Sequence, residues 1–487
     1  MKENRSDKTS EKGRGNRSAD GLRRWLDLNW PYLVLCCGFF GICLYCSCNI
    51  LVTEAPDEYA RHLVSAYIFQ TGSLPTGLEP ETRIPIWGFS YALNPYLAQI
   101  FSACFMRAIS LVSANPSALV IAARFASVIS GTVSVFVMCK IGELVFDGQR
   151  LPALLPGLLL AALPQFLFIS SYENNDVFSI FCCLLVTYCW FRAWKRGWSL
   201  NLCLGLGISI GLLALSYYNA YGFILLSIPV FFMLPMRQSG PRGGVSYRTK
   251  GFLIVLRSSL LVAGWFFIRN IVLLQGDMFG LVTRDVQFDS FGSDLLKPPL
   301  HVTPQEQGLS FLGTFYHSDA AYGWWRGTIQ SLFCNTGYLS HPLSDKLLWA
   351  YAFMFLLGLV LLAIAMVTRV ISLRRCAAVG IPLFVCVVIP VLLSQYYSYA
   401  TDWQAQGRYI MSAMAPVILF VAVGCKTFGS TVATVCDAMG IRTDSVFSNR
   451  LSTVLVVLFA VGYLLLFALC FTRYLLPCFS SIPLQVV

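Results

Sequence analysis

The chain has 487 residues, of which 56% are hydrophobic and only 12% charged, and its mean hydropathy is +0.66. That composition excludes a soluble globular protein and specifies a polytopic membrane protein. A net charge of +11 would suit a nucleic-acid partner if it formed one patch, but its placement along the chain gives it another meaning.

Residues 1–29 form a basic tail with eight Lys and Arg up to Arg24, expected to be disordered and cytoplasmic. The apolar run from about Pro31 to Val52 is longer than a signal-peptide core and lacks a small-x-small cleavage site, so it predicts a retained first helix. Directly after it, T-E-A-P-D-E-Y-A-R-H-L, Thr53 to Leu63, packs Asp57, Glu58, Arg61 and His62 into six residues. Pro56 suits the first turn of a helix and the two acids suit its positive end. Asp57 with Arg61, and Glu58 with His62, share faces at i,i+4 spacing. Such pairs are also ordinary on solvated helices, so the stretch gains meaning from what accompanies it.

Tyr96 to Val112, carrying Arg107, is too short and too amphipathic for a span and predicts a helix lying in the membrane interface. Apolar stretches bounded by charge give about eleven spans, at about 31–52, 117–139, 151–171, 176–193, 199–217, 219–235, 252–274, 347–368, 377–395, 408–425 and 452–473. If they alternate across the membrane, 23 of the 35 Lys and Arg fall on the side of the tail. That is the positive-inside asymmetry, and it accounts for the basic balance with no nucleic-acid partner. The outer side then receives two long loops, about 53–116 and 275–346, the second expected to fold onto the membrane part. Residues 30–475 thus form one transmembrane domain, and 476–487 a short tail. Most of the 18 cysteines, including Cys36, Cys182 and Cys189, fall in apolar helices as small hydrophobes, which predicts neither a disulfide scaffold nor a zinc site.

Polar groups at the edge of hydrocarbon are costly, so their positions carry information. Five places qualify: Asp57 and Glu58 after the first span; Arg124, roughly 10 Å into the second at 1.5 Å per residue; Glu173, Asn174, Asn175 and Asp176 in the turn after the third; Arg269 and Asn270 near the outer end of the seventh; and Gln406, Arg408 and Tyr409 opening the tenth. Each has a plain structural account, as a snorkelling side chain, a headgroup anchor or a hydrated turn. Together they gather three arginines and two carboxylate clusters at one depth on one face. Arginine makes bidentate contacts to phosphate, a carboxylate such as Asp57 can take the proton of an attacking hydroxyl, and cations stabilise a departing phosphate.

At these residues a resemblance emerges. P-D-E-Y-A-R-H, R-F-A-S-V-I-S-G from Arg124, Y-E-N-N-D-V from Tyr172, R-N-I-V-L-L-Q-G-D from Arg269 and Q-G-R-Y from Gln406 occur in the order found in bacterial membrane proteins of domain-of-unknown-function family 2142. Those resemble the wider GT-C superfamily of membrane glycosyltransferases, which includes protein O-mannosyltransferases and aminoarabinose transferases. The resemblance covers most of residues 30 to 425. It implies an all-α, GT-C-like bundle of about eleven transmembrane helices, a polyprenyl-phosphate sugar donor, and inversion at the anomeric carbon. It places Asp57 as catalytic base and Glu58 as supporting acid, with Arg269 or Arg408 on the lipid phosphate. Arg61, His62, Arg124, Asp176, Asn270, Gln406 and Tyr409 complete the expected substrate contacts. Asp176 matches a position where superfamily acids in some cases help hold a divalent metal, but Asn174 and Asn175 depart from the pattern, so a metal is not indicated. The implied partners are the donor, a cell-envelope acceptor and membrane lipids, in a bacterial plasma membrane with the N-terminus cytoplasmic and the active face outside. The alternatives are a transporter or flippase of lipid-linked glycans and a non-catalytic envelope-assembly protein.

Overall fold

The computed structural model describes residues 7–237, 245–298, 300–316, 323–337 and 339–477, with side chains from residue 23 on and, after the break at 238–244, from residue 247 on. Helix α1 (Asp7–Asn49) runs through Pro31 and leads to a 3₁₀ turn at Val52–Glu54 and then to α2 (Glu58–Thr71). Helix α3 (Leu97–Ser110) buries Ala98, Gln99, Ser102, Ala103 and Met106 and exposes Phe101. It therefore turns a small, partly polar face inward and an apolar side chain outward. Helix α4 (Pro116–Val145) opens on Asn115, whose side chain accepts from the Ser117 N–H, with Pro116 in the first turn. There follow α5 (Arg150–Ala161), α6 (Pro164–Ile169), α7 (Asp176–Arg196), α8 (Leu200–Ala214), α9 (Gly222–Met233) and α10 (Val245–Leu273). The next segment holds α11 (Leu281–Phe291), α12 (Phe311–Tyr316), α13 (Trp324–Phe333) and one small antiparallel pair, β1 (Asn335–Thr336) with β2 (His341–Pro342). The chain closes with α14 (Asp345–Val367), α15 (Leu373–Ala400), α16 (Met414–Ala438) and α17 (Ser445–Cys470).

Among the described residues, 8 helical segments are long and apolar enough to cross a membrane, and the chain is a multi-span membrane protein. The other three expected spans are helical but shorter. Residues 151–171 divide at Pro164 into α5 and α6, because proline lacks the N–H a continuous helix needs there. The polar run Ser216 to Asn219 separates α8 from α9, which have 15 and 12 residues.

With little hydrophobic drive between helices in lipid, close packing selects small residues. Gly207 and Gly211 lie one turn apart on α8 against α10. A Cβ at Gly207 would stand 2.6 Å from the Val255 carbonyl oxygen, and one at Gly211 2.6 Å from the Val262 Cβ. Bare backbone there lets Ser259 Oγ donate to the Gly207 carbonyl at 3.0 Å. Cys43 and Cys46, a C-x-x-C pair within α1, are fully buried among apolar side chains of the main core.

The described residues of the loop between α10 and α14 fold onto the bundle. Trp324 Nε1 donates to Ser398 Oγ on α15 at 3.1 Å, the Asn335 N–H to Gln165 Oε1 on α6 at 2.8 Å, and the Gln305 N–H to the Tyr399 carbonyl at 3.1 Å. This cover lies at the end of the bundle where α1 gives way to α2, α6 to α7 and α15 to α16. The side chains of the candidate site collect there.

Candidate active site

Two linked ion clusters occupy this end. In the first, Arg124 Nε and Nη2 donate to Glu58 Oε1 and Oε2, both at 2.7 Å, a planar fork on a carboxylate. Arg124 Nη1 donates to the carbonyls of Ser47 and Ile50 at 2.6 and 2.8 Å, satisfying the C-terminal end of α1. The Glu173 N–H adds a bond to Glu58 Oε1 at 2.8 Å. Arg124 is 0% and Glu58 1% exposed, so neither faces an open surface. The pair ties α1, α2, α4 and the turn before α7 into one unit next to the segment that carries Asp57.

The second cluster is centred on Asp57. Asp57 precedes α2 with φ 61° and ψ 7° and makes no side-chain bond to the helix end. The left-handed region costs a non-glycine residue on the order of 1–3 kcal/mol; here it aims the carboxylate across the bundle. Arg408 Nη2 donates to Asp57 Oδ2 at 2.5 Å and Nη1 to the Pro56 carbonyl at 3.2 Å. Gln406 Oε1 and the Tyr409 hydroxyl oxygen accept from Arg408 Nε and Nη2 at 2.8 and 3.0 Å. Arg61 Nη2 lies 3.9 Å from Asp57 Oδ2 and 3.5 Å from Asp176 Oδ2. Gly407 makes this convergence geometrically possible: a Cβ there would collide with the backbone of Leu332, and its N–H donates to Ser331 Oγ at 2.7 Å.

Asp176, first residue of α7, sits at the positive end of that helix. Both its carboxylate oxygens are buried and without a hydrogen-bond partner, as is Arg61 Nη1. Asp176 and Arg408 line a small cavity with Ser179, Tyr217, Asn219, Tyr409 and Ser412. Burial alone would raise the Asp57 pKa, but the Arg408 and Arg61 charges and hydrogen bonds from Arg408 and Tyr91 outweigh it and hold the carboxyl below its ordinary value. Burial likewise pulls the Arg61 pKa down, and Asp176 and Asp57 more than reverse this. Both groups are thus ionised at neutral pH.

His62 joins from the far side of α2. Its Nδ1 is 2.9 Å from Glu173 Oε2, and Ser65 Oγ donates to Glu173 Oε1. Burial lowers the His62 pKa, but the Glu173 hydrogen bond and charge, with a contribution from Glu58, raise it above the ordinary value.

The structure therefore brings Asp57, Arg61, Asp176, Gln406, Arg408 and Tyr409 together, with Glu58, Arg124 and His62 immediately behind them. Arg269 and Asn270 stand apart. Arg269 Nη2 donates to the Pro75 carbonyl and Nη1 to Asn270 Oδ1, and its guanidinium lies 5.7 Å from the Tyr96 ring centre. Asn270 Nδ2 donates to the Met278 carbonyl at 3.2 Å. These two residues pin loops to the end of α10. Asn174 and Asn175 are also engaged structurally: Asn174 Oδ1 accepts from the Val177 N–H at 3.0 Å, and Asn175 Oδ1 from Gln99 Nε2 at 2.5 Å. Among the described residues no three His, Cys, Asp or Glu side chains form a group able to hold a metal ion.

Sequence reasoning missed Tyr91, Tyr217 and Asn219. Tyr91 carries no charge and had no signal, whereas the polar run S-Y-Y-N at 216–219, interrupting apolar sequence, was a signal of the kind used elsewhere.

The arrangement has counterparts in known structures. The archaeal oligosaccharyltransferase AglB from Archaeoglobus fulgidus, in complex with an inhibitory peptide and a dolichol-phosphate, superposes with a TM-score of 0.54 at 14% identity over 92% of this chain. ArnT from Cupriavidus metallidurans bound to undecaprenyl phosphate superposes with a TM-score of 0.50 at 13% identity, over 90% of this chain and 76% of its own. The chain has the GT-C fold. It spans only 56% of the length of the AglB chain. The sequence profile of the dolichyl-phosphate-mannose-protein mannosyltransferase family matches residues 101–263, from α3 to α10, about a third of the GT-C chain. No curated protein sequence matches it.

Proposed function

We propose that this GT-C protein is a membrane glycosyltransferase that moves a sugar from a polyprenyl-phosphate carrier to a cell-envelope acceptor on the outer face of a bacterial plasma membrane. The observation that carries the reading is the meeting of two carboxylates, Asp57 and Asp176, with two arginines, Arg61 and Arg408, beside a cavity at the ends of the spans. Two neighbours of the same fold, AglB in complex with a dolichol-phosphate and ArnT bound to undecaprenyl phosphate, support the carrier class. The outward orientation follows from placing the basic tail inside.

In this reading Asp57 takes the proton of the acceptor hydroxyl as its oxygen attacks the anomeric carbon. The bond from that carbon to the carrier phosphate breaks, and the phosphate leaves with the electron pair. The side chain of Asp57 is 18% exposed against 3% for Asp176, so it is the more accessible of the two. Arg408 keeps Asp57 ionised and, with Arg61, supplies positive charge to the departing phosphate. The test is incubation of purified protein with labelled polyprenyl-phosphate sugars and envelope extract. Label appearing in an acceptor together with free polyprenyl phosphate supports the reading. Donor that is bound and carried across vesicles uncleaved would replace it with the transporter.

A further inference from the structure

The resemblance drawn from the sequence raises a divalent metal at Asp176, and the donor set argues for a different cation. Metal-bound carboxylates approach the ion to about 2.0–2.6 Å, and a bridging ion would occupy the space between Asp57 and Asp176. That space holds Arg61, whose Nη2 is 3.5 Å from Asp176 and 3.9 Å from Asp57 and whose side chain is 5% exposed. Arg408 already occupies Asp57 Oδ2 at 2.5 Å. The two neighbouring amides, Asn174 and Asn175, are committed to the α7 N-terminus and to Gln99. Two carboxylates and two guanidiniums leave the cluster neutral, so a divalent ion would add charge beside two fixed cations. The residues present do not fit a metal.

One valence of Arg61 is left over. Its Nη1 is buried and has no partner, an expensive state for a charged donor unless a ligand completes it. Asp176, 3.5 Å from Arg61 Nη2, lines the small cavity together with Arg408.

We propose that Arg61 is the resident cation of this site: its guanidinium stands where a metal would bridge the two acids, and its unpartnered Nη1 donates to an oxygen of the carrier phosphate. The identity of that phosphate rests on the function proposed above. The assignment gives Arg61 two tasks, fixing the distance between the acids and presenting a charge-assisted donor that needs no metal loading. A lysine can keep the charge, and a glutamine of similar reach cannot.

The experiment uses full-length protein in detergent. Mn²⁺ titration followed by EPR should reveal no stoichiometric site in the wild type, and undecaprenyl phosphate affinity should be unchanged by chelator. Arg61→Lys should retain that affinity within about threefold, while Arg61→Gln should weaken it about tenfold or more, the scale of one hydrogen bond to a charged group. Comparing two variants of similar size makes a shared folding defect visible as an equal loss, and equal affinities in the two would overturn the proposal. So would one Mn²⁺ per wild-type chain that Asp176→Asn removes, or carrier binding that falls on chelation. None of these readouts needs sugar transfer. Absence of turnover with this pattern intact would remove the transferase reading and leave Arg61 as the resident cation.

Discussion

The buried fork between Glu58 and Arg124 allows a sharp test of how the site is held. Glu58→Gln keeps shape but replaces one acceptor oxygen by an NH₂ group facing a guanidinium that is 0% exposed and donates to Glu58 through two 2.7 Å bonds. Removing one partner of a buried pair leaves an uncompensated charge, at a cost of about 3–5 kcal/mol. Glu58 Oε1 also accepts from the Glu173 N–H, so the substitution disturbs the turn before Asp176 as well. The assay is equilibrium unfolding in mixed micelles, with wild type, Glu58→Gln, Arg124→Met and the double variant in one cycle. Both single variants should lose stability on this scale, and the double should recover at least half of the summed loss, because it buries no lone charge. A Glu58→Gln loss below about 1 kcal/mol, the range of an exposed pair, would refute the reasoning and return Glu58 to a place in the chemistry.

Other perturbations separate support from chemistry. Arg269→Ala frees the Pro75 carbonyl and should raise proteolysis of the 72–80 loop while leaving transfer within a few-fold; a loss as large as that of Arg408→Ala would place Arg269 in the site after all. Gly407→Ala forces Cβ into the Leu332 backbone and should lower both stability and turnover, because Arg408 follows it directly; wild-type stability or turnover in the variant would contradict this. The His62 pKa is raised on folding, so its contribution to stability is complete below the unfolded value of about 6.5 and disappears as pH rises through the folded value. Thermal midpoints should therefore fall as pH rises from about 6.5 through the folded value, and His62→Gln should flatten the slope. A variant with the wild-type slope would assign the dependence to another group.

Much of this architecture was legible in the sequence because lipid imposes strong rules. Apolar length located the spans, and the cost of a charge in hydrocarbon singled out Asp57, Arg124, Asp176 and Arg408 before any geometry was known. What the pattern did not convey was partner choice. Arg124, Arg269 and Arg408 look alike in one dimension, yet the structure gives the first a buried carboxylate fork, the second a loop carbonyl and the third the Asp57 carboxylate. The i,i+4 rule paired Asp57 with Arg61, which stands at 3.9 Å. It also paired Glu58 with His62, whereas long-range contacts give Glu58 to Arg124 and His62 to Glu173. Apolar length did not place every break: 151–171, read as one span, divides at Pro164 into α5 and α6, whereas the polar turn between α8 and α9, whose residues line the cavity, falls where two spans were expected to meet.

The measurement that bears most directly on the central claim is release of free polyprenyl phosphate, coupled to acceptor labelling, by wild type and by Asp57→Asn with carrier binding measured in parallel. A positioned base contributes about 10²- to 10⁴-fold, so the variant should lose turnover on that scale while binding the carrier nearly as well. Equal turnover in the two proteins, or no release from the wild type while the carrier remains bound, would contradict the account.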